Sequence, residues 1–193
     1  MQCRLPRMQI SLPKRINFVN YIRSSGTQYI DTGFKPNQNT KVEIKMQSSN
    51  QNGDSVWIFG CQTSWSNNGF AVSTYTAEFG NSNATTGVNF YDGNDHTIIF
   101  DKGVLKKDGS TIWTGSGTFQ TIYNMYISGI NAAGTGISLI GKIYYAKIWD
   151  NDTLIRDYLP CLDKDGIACL YDQVNEEYYY NVGSGEFIAG EAA

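Results

Sequence analysis

Residues 41–47, KVEIKMQ, decide the fold class because apolar and charged side chains alternate along them. Successive side chains of an extended chain point to opposite faces. Val42, Ile44 and Met46 therefore share one face, and the charged residues share the other. The stretch predicts a β-strand with one buried and one solvated face.

Similar patterns recur along the chain. HTIIFD (96–101) alternates in the same way, and KIYYAKIWD (142–150) has large residues on both faces, which is typical of a central strand. Further strands are predicted near residues 19–23, 28–32, 56–60, 69–74, 111–114, 124–129, 154–159, 168–172 and 177–181.

Segments rich in Asn, Asp and Gly separate these strands and predict turns, since these residues adopt the left-handed backbone that tight reversals need. They are NQNGDS, SWSNNG, NSNATTG, YDGNDH, KKDGS and NAAGTG. No stretch has convincing helical periodicity. The sequence therefore predicts an all-β fold of two antiparallel sheets, a sandwich or jelly roll.

Length and composition favour one domain, because 193 residues with 41% hydrophobic content suffice for a single core. No apolar run is long enough to span a membrane. The first residues are basic but lack the apolar core of a secretory signal, so we expect synthesis in a cytoplasm.

The charge is uneven, with five basic and no acidic side chains in residues 1–30 and an acidic excess in the rest. Residues 1–18 are predicted to be a basic, extended N-terminal arm that Pro6 and Pro13 stiffen, and residues 19–193 the domain. Five dispersed charges without interleaved aromatic residues do not favour nucleic-acid binding.

Four cysteines occur, at positions 3, 61, 161 and 169, without CxxC spacing and with one histidine in the chain. A structural zinc site is therefore not expected. Cys161 and Cys169 bracket LDKDGIA and could meet across a hairpin, although buried thiols in a reducing compartment are the favoured interpretation.

Three strings resemble one family: YIRSSGTQYIDTGFKPNQNTKVEI, DGNDHTIIFDKGVLKKDGS, and IGKIYYAKIWDNDTLIRDYLPC followed by DGIACLYDQVNEEYYYNVGSGEF. Over about residues 19–188 the chain is similar to the laminin-G-like, concanavalin-A-like jelly-roll domains of tailed-phage structural proteins and gut-bacterial surface proteins. That resemblance implies a sandwich of two curved sheets, usually non-catalytic, that attaches to glycans or proteins.

Glycoside hydrolases also use this fold and need two carboxylates at a fixed separation. The E-x-D-x-E pattern that its endoglucanases carry along one strand is missing. The acidic pairs Asp150/Asp152 and Asp163/Asp165 lie in turn sequences, and Glu176/Glu177 are neighbours that would face opposite ways in a strand. His96 stands at the start of a strand, where a structural role is favoured over that of a general base. The protein is therefore not expected to be an enzyme.

Asp92, Asn94 and Asp95 of YDGND could offer oxygen ligands to calcium. Because Asp-Gly is also a plain turn signal, the turn interpretation is favoured, and no cofactor is expected.

Glycan binding needs an aromatic face beside amide or carboxylate groups. Trp65 with Asn67 and Asn68 meets this requirement in a polar loop, either as a binding platform or as a packing plug. Tyr75 and Tyr91 have similarly polar surroundings, although packing is favoured for them. Trp57, Trp113 and Trp149 lie among strand residues and are predicted to be core.

Two further stretches have architectural interpretations. In GTQYIDTGF, Tyr29 and Asp31 are predicted to share one face, with Asp31 accepting hydrogen bonds in a turn rather than performing chemistry. For NEEYYYNVGSGEF the family resemblance implies a closing hairpin, with Gly183 and Gly185 in its turn and Tyr178 to Tyr180 alternating between faces.

An attachment-type fold without an export signal is typical of a virion component made in the host cytoplasm. The leading hypothesis is a non-enzymatic phage structural protein, such as a capsid decoration, head-fibre or tail attachment component. Its arm would dock on virion proteins, and its jelly roll would bind glycan or host surface, as a homo-oligomer. The alternatives are an adhesion or carbohydrate-binding module of a bacterial surface protein and, less favoured, a glycoside hydrolase.

Overall fold

The computed structural model describes residues 16–48, 56–63, 68–86, 89–132 and 138–193. Within these ranges all regular structure is β-strand. The strands are β1 (Asn17–Phe18), β2 (Ile22–Ser25), β3 (Ile30–Asp31), β4 (Thr40–Ser48), β5 (Trp57–Gln62), β6 (Gly69–Ser73), β7 (Thr76–Gly80), β8 (Ser82–Thr85), β9 (Asp95–Asp101), β10 (Val104–Lys107), β11 (Ser110–Thr114), β12 (Tyr126–Ile127), β13 (Asn131–Ala132), β14 (Ile140–Asp150), β15 (Thr153–Leu162), β16 (Ala168–Asp172), β17 (Glu177–Tyr179) and β18 (Ile188–Ala189). The described part of the chain has no helix that could cross a membrane.

The first sheet has the strand order β11-β10-β9-β4-β14-β15-β16-β17, with β1 paired to β15 and β2 paired to both β14 and β18. β14 lies between β4 on one side and β15 and β2 on the other. The predicted central position of residues 142–150 is therefore confirmed.

The second sheet has the order β3-β12-β5-β6-β7-β8, and β13 adds to β5 in parallel. Neither β7 nor β8 was predicted from the sequence. The turn predicted at NSNATTG is wrong for Ser82 to Thr85, because these residues form β8 and pair with β7. In the described part of that segment, residues 81–86, the chain turns at Asn81. Ser, Asn and Ala have weak strand preference, so pairing with a neighbour, rather than local propensity, makes β8 extended.

The core lies between the two sheets. Val42, Ile44 and Met46 are fully buried and the residues between them are half-buried, which confirms the alternation predicted from KVEIKMQ. Phe70 of the second sheet stacks on Phe100 of the first, with ring centroids 4.9 Å apart. The predicted two-sheet antiparallel sandwich is thus the observed fold.

The three tryptophans that were predicted to be core differ in position. Trp57 is buried and Trp113 packs against the core from its margin. The core prediction for Trp149 is wrong, because Trp149 is the register partner of Lys41 on the solvated face. The Lys41 ammonium lies 4.3 Å from the centre of the Trp149 ring, a cation–π contact.

The first and last residues of the described chain lie beside each other, next to β15 of the first sheet. Asn17 and Phe18, which the sequence analysis assigned to the arm, pair with Leu162 and Cys161 of β15. Val19 forms a bridge with Ala192. Residues 1–15 of the predicted arm lie outside the described residues.

Candidate functional site

The glycan-binding residues predicted from the loop CQTSWSNNGF are only partly described. Trp65 and Asn67 lie outside the described residues. Asn68 precedes β6 with a positive φ of 51°, and its backbone amide donates to Asn81 Oδ1 at 3.3 Å. Asn68 is thus in a left-handed turn conformation, for which asparagine is well suited.

Tyr75 and Tyr91 contact each other. Their rings meet edge to face with centroids 5.0 Å apart, their hydroxyls are hydrogen-bonded, and both side chains are half-buried. Tyr75 follows β6, whereas Asn68 precedes it, so the length of β6, roughly 17 Å, lies between them. The structure therefore brings the two tyrosines together and leaves Asn68 at the other end of the strand.

The segment after β16 confirms part of the prediction for NEEYYYNVGSGEF. Tyr179 packs on the core, and Tyr178 and Tyr180 point outward, as the alternation required. The predicted closing hairpin is wrong. The chain crosses from β17 to β18, and β18 pairs with β2 rather than with β17. The crossing is held by Asn181, whose side-chain oxygen accepts from the backbone amides of Tyr29 and Gly183.

This crossing borders a cavity of about 260 Å³, which we call the edge site. Phe187, 5% exposed, is the buried aromatic residue of its lining, and Ile167 and Tyr180 are its largest exposed apolar residues, at 45% and 43%. Glu186 adds an exposed carboxylate. The edge site therefore combines a tyrosine, an aliphatic side chain and an acid around one depression.

Tyr180 is held in place by Asp163. The Tyr180 hydroxyl donates to Asp163 Oδ2 at 3.0 Å, and burial together with this bond raises the pKa of Tyr180 to about 12. The other carboxylate oxygen of Asp163 accepts from the backbone amides of Ile167 and Asp165, at 2.8 and 2.9 Å. These amides, with the Tyr180 hydroxyl, lower the pKa of Asp163.

The aromatic surface continues beyond Tyr180. Tyr178 lies 6.3 Å from Tyr180 between ring centroids, and 5.2 Å from Tyr171 on β16. Phe18 of β1 meets Tyr171 edge to face at 6.2 Å. Of the six large hydrophobic residues that are exposed in the described part of the chain, five lie between residues 167 and 188. Two of them, Ile167 and Tyr180, lie together at the edge site, and exposed apolar surface of this kind is typical of interaction surfaces.

The edge site offers groups that could contact a sugar or a peptide. Tyrosine faces bind sugar C–H surfaces, and a carboxylate such as that of Glu186 accepts hydroxyl hydrogen bonds. Both oxygens of Asp163 are hydrogen-bonded within the protein, one to the Tyr180 hydroxyl and the other to two backbone amides.

The acidic pair Asp150/Asp152, also considered for catalysis, has local partners. Asp150 Oδ1 accepts from the amides of Asn37 and Asn151, at 3.0 and 3.1 Å. Asp152 pairs with Lys102 at 2.6 Å. The predicted capping of backbone amides in a turn is confirmed for Asp163, whereas the contacts of Asp150 and Asp152 are to side chains.

One buried acid was missed by the sequence analysis. Glu78 on β7 is fully buried, and burial raises its pKa to about 7. The side-chain amide of Gln62 lies 2.8 and 3.0 Å from its two carboxylate oxygens and donates to them. The available signal was a single acidic residue in TAEFG, but this segment was not predicted to be a strand.

His96 lies at the start of a strand, as its sequence position predicted. It is 6% exposed at the start of β9, with Nδ1 2.7 Å from Asp108 Oδ2 and Nε2 2.9 Å from Asp92 Oδ1. Asp92 Oδ1 also accepts from the backbone amide of Asn94, which confirms the turn at YDGND. In the described ranges no group of three or more His, Cys, Asp or Glu side chains could hold a metal ion.

Asp31 has the architectural position that was predicted for it. Its Oδ1 accepts from the Gly33 amide at 2.8 Å, and its Oδ2 accepts from the Asn124 side chain at 3.3 Å. Tyr29 on the same face stacks on Tyr126 with centroids 4.6 Å apart. Asp31 therefore fixes the end of β3.

Comparison with protein-family models found no match to the chain, and comparison with curated proteins found none either.

Proposed function

We propose that this protein is a non-enzymatic attachment protein, a structural component of a phage virion that binds a glycan or a host surface through its sandwich. The resemblance of its sequence to laminin-G-like domains of tailed-phage proteins motivates the virion assignment. The all-β sandwich is compatible with it, although one such fold hosts many functions.

The edge site is the observation that carries the binding proposal. Its tyrosine is oriented before any ligand arrives, because Tyr180 is hydrogen-bonded to Asp163 and lies beside Tyr178. A fixed aromatic side chain loses little conformational entropy on binding. A pyranose ring would stack on Tyr180 and direct a hydroxyl to Glu186.

The engagement of the acidic side chains supports a non-enzymatic function. A glycosidase needs an acid and a base or nucleophile that both reach the substrate. At the edge site Asp163 is satisfied by neighbouring groups and Glu186 is exposed, so the two do not form such a pair.

The path of the chain at β1 supports an anchoring role for residues 1–15. Residue 16 begins next to β15 and the last residues of the chain, beside a second cavity of about 390 Å³. A basic segment that leaves the sheet there would dock on virion proteins, and several copies on one particle would provide the avidity that weak single glycan contacts need.

A glycan array tests the binding proposal. We expect Tyr180→Ala to abolish binding, because the variant loses the stacking face, and Tyr91→Ala to retain it. Trp65→Ala is tested as a third variant, because the sequence pointed to Trp65 as a glycan-binding residue. Binding that survives Tyr180→Ala but not Trp65→Ala would move the site to that loop, and binding to no glycan would contradict the lectin-like function.

Particle incorporation tests the virion assignment. Deletion of residues 1–15 keeps the β1 pairing to β15 intact, so the domain should fold and still bind its glycan. We expect its occupancy in purified particles, measured by mass spectrometry, to fall strongly. Full occupancy would show that the segment does not anchor the protein.

A further inference from the structure

Two buried cysteines oppose each other in the first sheet. Cys161 on β15 and Cys169 on β16 are directly paired in the antiparallel register. Their sulfur atoms are 3.5 Å apart, and both side chains are completely buried. Directly opposed antiparallel residues have Cα atoms about 4.5–5.5 Å apart, within the range of about 4.4–6.8 Å that a disulfide spans.

Cys61 provides the contrast within the same core. It is equally buried, but its sulfur lies 3.5 Å from the hydroxyl of Thr121 rather than near another described thiol. Burial raises the pKa of Cys61 to about 12. Cys61 is thus the matched control for a buried thiol outside a pair.

We propose that Cys161 and Cys169 form a redox site that remains a dithiol in a reducing cytoplasm and closes to a disulfide in an oxidising medium. This inference does not depend on the proposed glycan binding.

The chemistry requires a co-reactant, which is a small-molecule disulfide such as oxidised glutathione. One cysteine loses its proton and attacks the glutathione disulfide, which forms a mixed disulfide and releases one glutathione thiolate. The second cysteine then loses its proton and attacks the protein sulfur of the mixed disulfide, which releases the other. Two electrons and two protons leave the protein, and two glutathione thiols form.

The surroundings of the pair make this closure slow. Phe18 is the register partner of Cys161, and the hydrogen bond between the two thiols, together with burial, raises the pKa of Cys169. Little thiolate therefore forms in the folded state. Reaction requires local opening, for which the short pairings of β1 and of the edge strand β17 are suited.

The bond would close the turn that carries part of the edge site. Between the two cysteines lie Asp163, which orients Tyr180, and Ile167, which lines the cavity. A disulfide would hold both ends of this turn together whether or not a ligand is present.

The test uses the full chain with Cys3→Ala and Cys61→Ala, so that only the pair remains. The protein is incubated with reduced and oxidised glutathione at graded ratios, the thiols are blocked, and peptides are mapped without reduction. We expect a linked Cys161–Cys169 peptide with a mass loss of about 2 Da, and a Tm about 5 °C higher than in the reduced protein.

Three results would overturn the proposal: two thiols that stay reduced at the most oxidising ratio, a stable glutathione adduct without an internal link, or a link between two chains. The same mapping of the unmodified chain guards against misfolding of the variant, and there Cys61 should remain a thiol. The additional change Cys169→Ala should remove the Tm difference between the oxidised and reduced protein.

Discussion

The side-chain amide of Gln62 on β5 donates to both carboxylate oxygens of Glu78 on β7, although β6 runs between the two strands. Gly69 of β6 makes this possible, because a Cβ at that position would collide with the Glu78 carboxylate. Glu78 is fully buried and Gln62 is nearly so. The titratable carboxyl group of Glu78 is therefore shielded from solvent within the second sheet.

Glu78 should make the protein less stable as the pH rises. Its pKa is about 7 in the folded state and 4.5 in the unfolded state, so the folded protein retains the proton between these values. Stability then falls from about pH 4.5 to pH 7, by on the order of 3 kcal/mol. We expect Glu78→Gln to match the wild type near pH 4.5 and to exceed it at pH 8 in urea unfolding. Glu177→Gln, at an exposed position, is the control for the loss of one charge. A gain in stability of Glu78→Gln that does not depend on pH would contradict the raised pKa of Glu78.

Asp92 should contribute stability that is lost in acid. The Asn94 backbone amide, followed by His96, lowers the pKa of Asp92 to about 2 from 3.8. A lowered folded-state pKa stabilises fully above the unfolded value and is lost as the pH falls from about 4 to 2. We expect Asp92→Asn to unfold at lower urea concentration than the wild type at pH 6, with the gap closing towards pH 2. A gap of constant size over this range would exclude the charge of Asp92 as its cause.

Asp172 should matter more than its charge partner Arg156. Asp172 is fully buried and accepts from the backbone amides of Asp157 and Val174 and from the Asn175 side chain, whereas Arg156 Nε lies 3.6 Å away. Asp172→Ala leaves these three donors without their acceptor and should cost about 3–5 kcal/mol, since each buried unsatisfied group costs about 1–3 kcal/mol. Arg156→Met keeps the other three hydrogen bonds and should cost about 1–2 kcal/mol. Chemical denaturation measures both, and equal costs would mean that the ion pair dominates.

Gly183 and Gly166 are required for two different reasons, lack of space for a Cβ atom and a left-handed backbone conformation. A Cβ on Gly183 would collide with the Thr27 carbonyl oxygen, whereas Gly166 has a φ of +80° and open space around it. Gly166→Ala should cost about 1 kcal/mol, for the left-handed conformation. Gly183→Ala should cost at least about 2–3 kcal/mol, because the crossing from β17 to β18 must move away from the Thr27 carbonyl group. If thermal unfolding gives the reverse order, the crossing is not packed as described.

The fold could be predicted from sequence where the alternation of apolar and charged residues indicates which side chains are buried, as at Val42, Ile44 and Met46. Prediction failed where neighbours rather than local pattern set the structure. β8 is extended because β7 pairs with it, and Trp149 faces outward because Lys41 is its register partner.

The candidate site shows the same limit. Tyr180, Ile167 and Glu186 are distant in sequence or separated by glycines, and they meet because the chain crosses from β17 to pair beside β2. Periodicity correctly predicted that Tyr178 and Tyr180 share one face and Tyr179 the other, but it could not show that a cavity lies next to Tyr180.

The pairing of β1 also has a mechanical consequence. Phe18 accepts a hydrogen bond from Ala193, and Val19 and Asn20 donate to Pro160 and Glu191. A pulling force along β1 loads these bonds in shear, because strand hydrogen bonds lie across the strand direction, and they must break together rather than in sequence. An attachment protein tethered through its N-terminal segment would therefore transmit tension into the centre of the first sheet before the domain unravels.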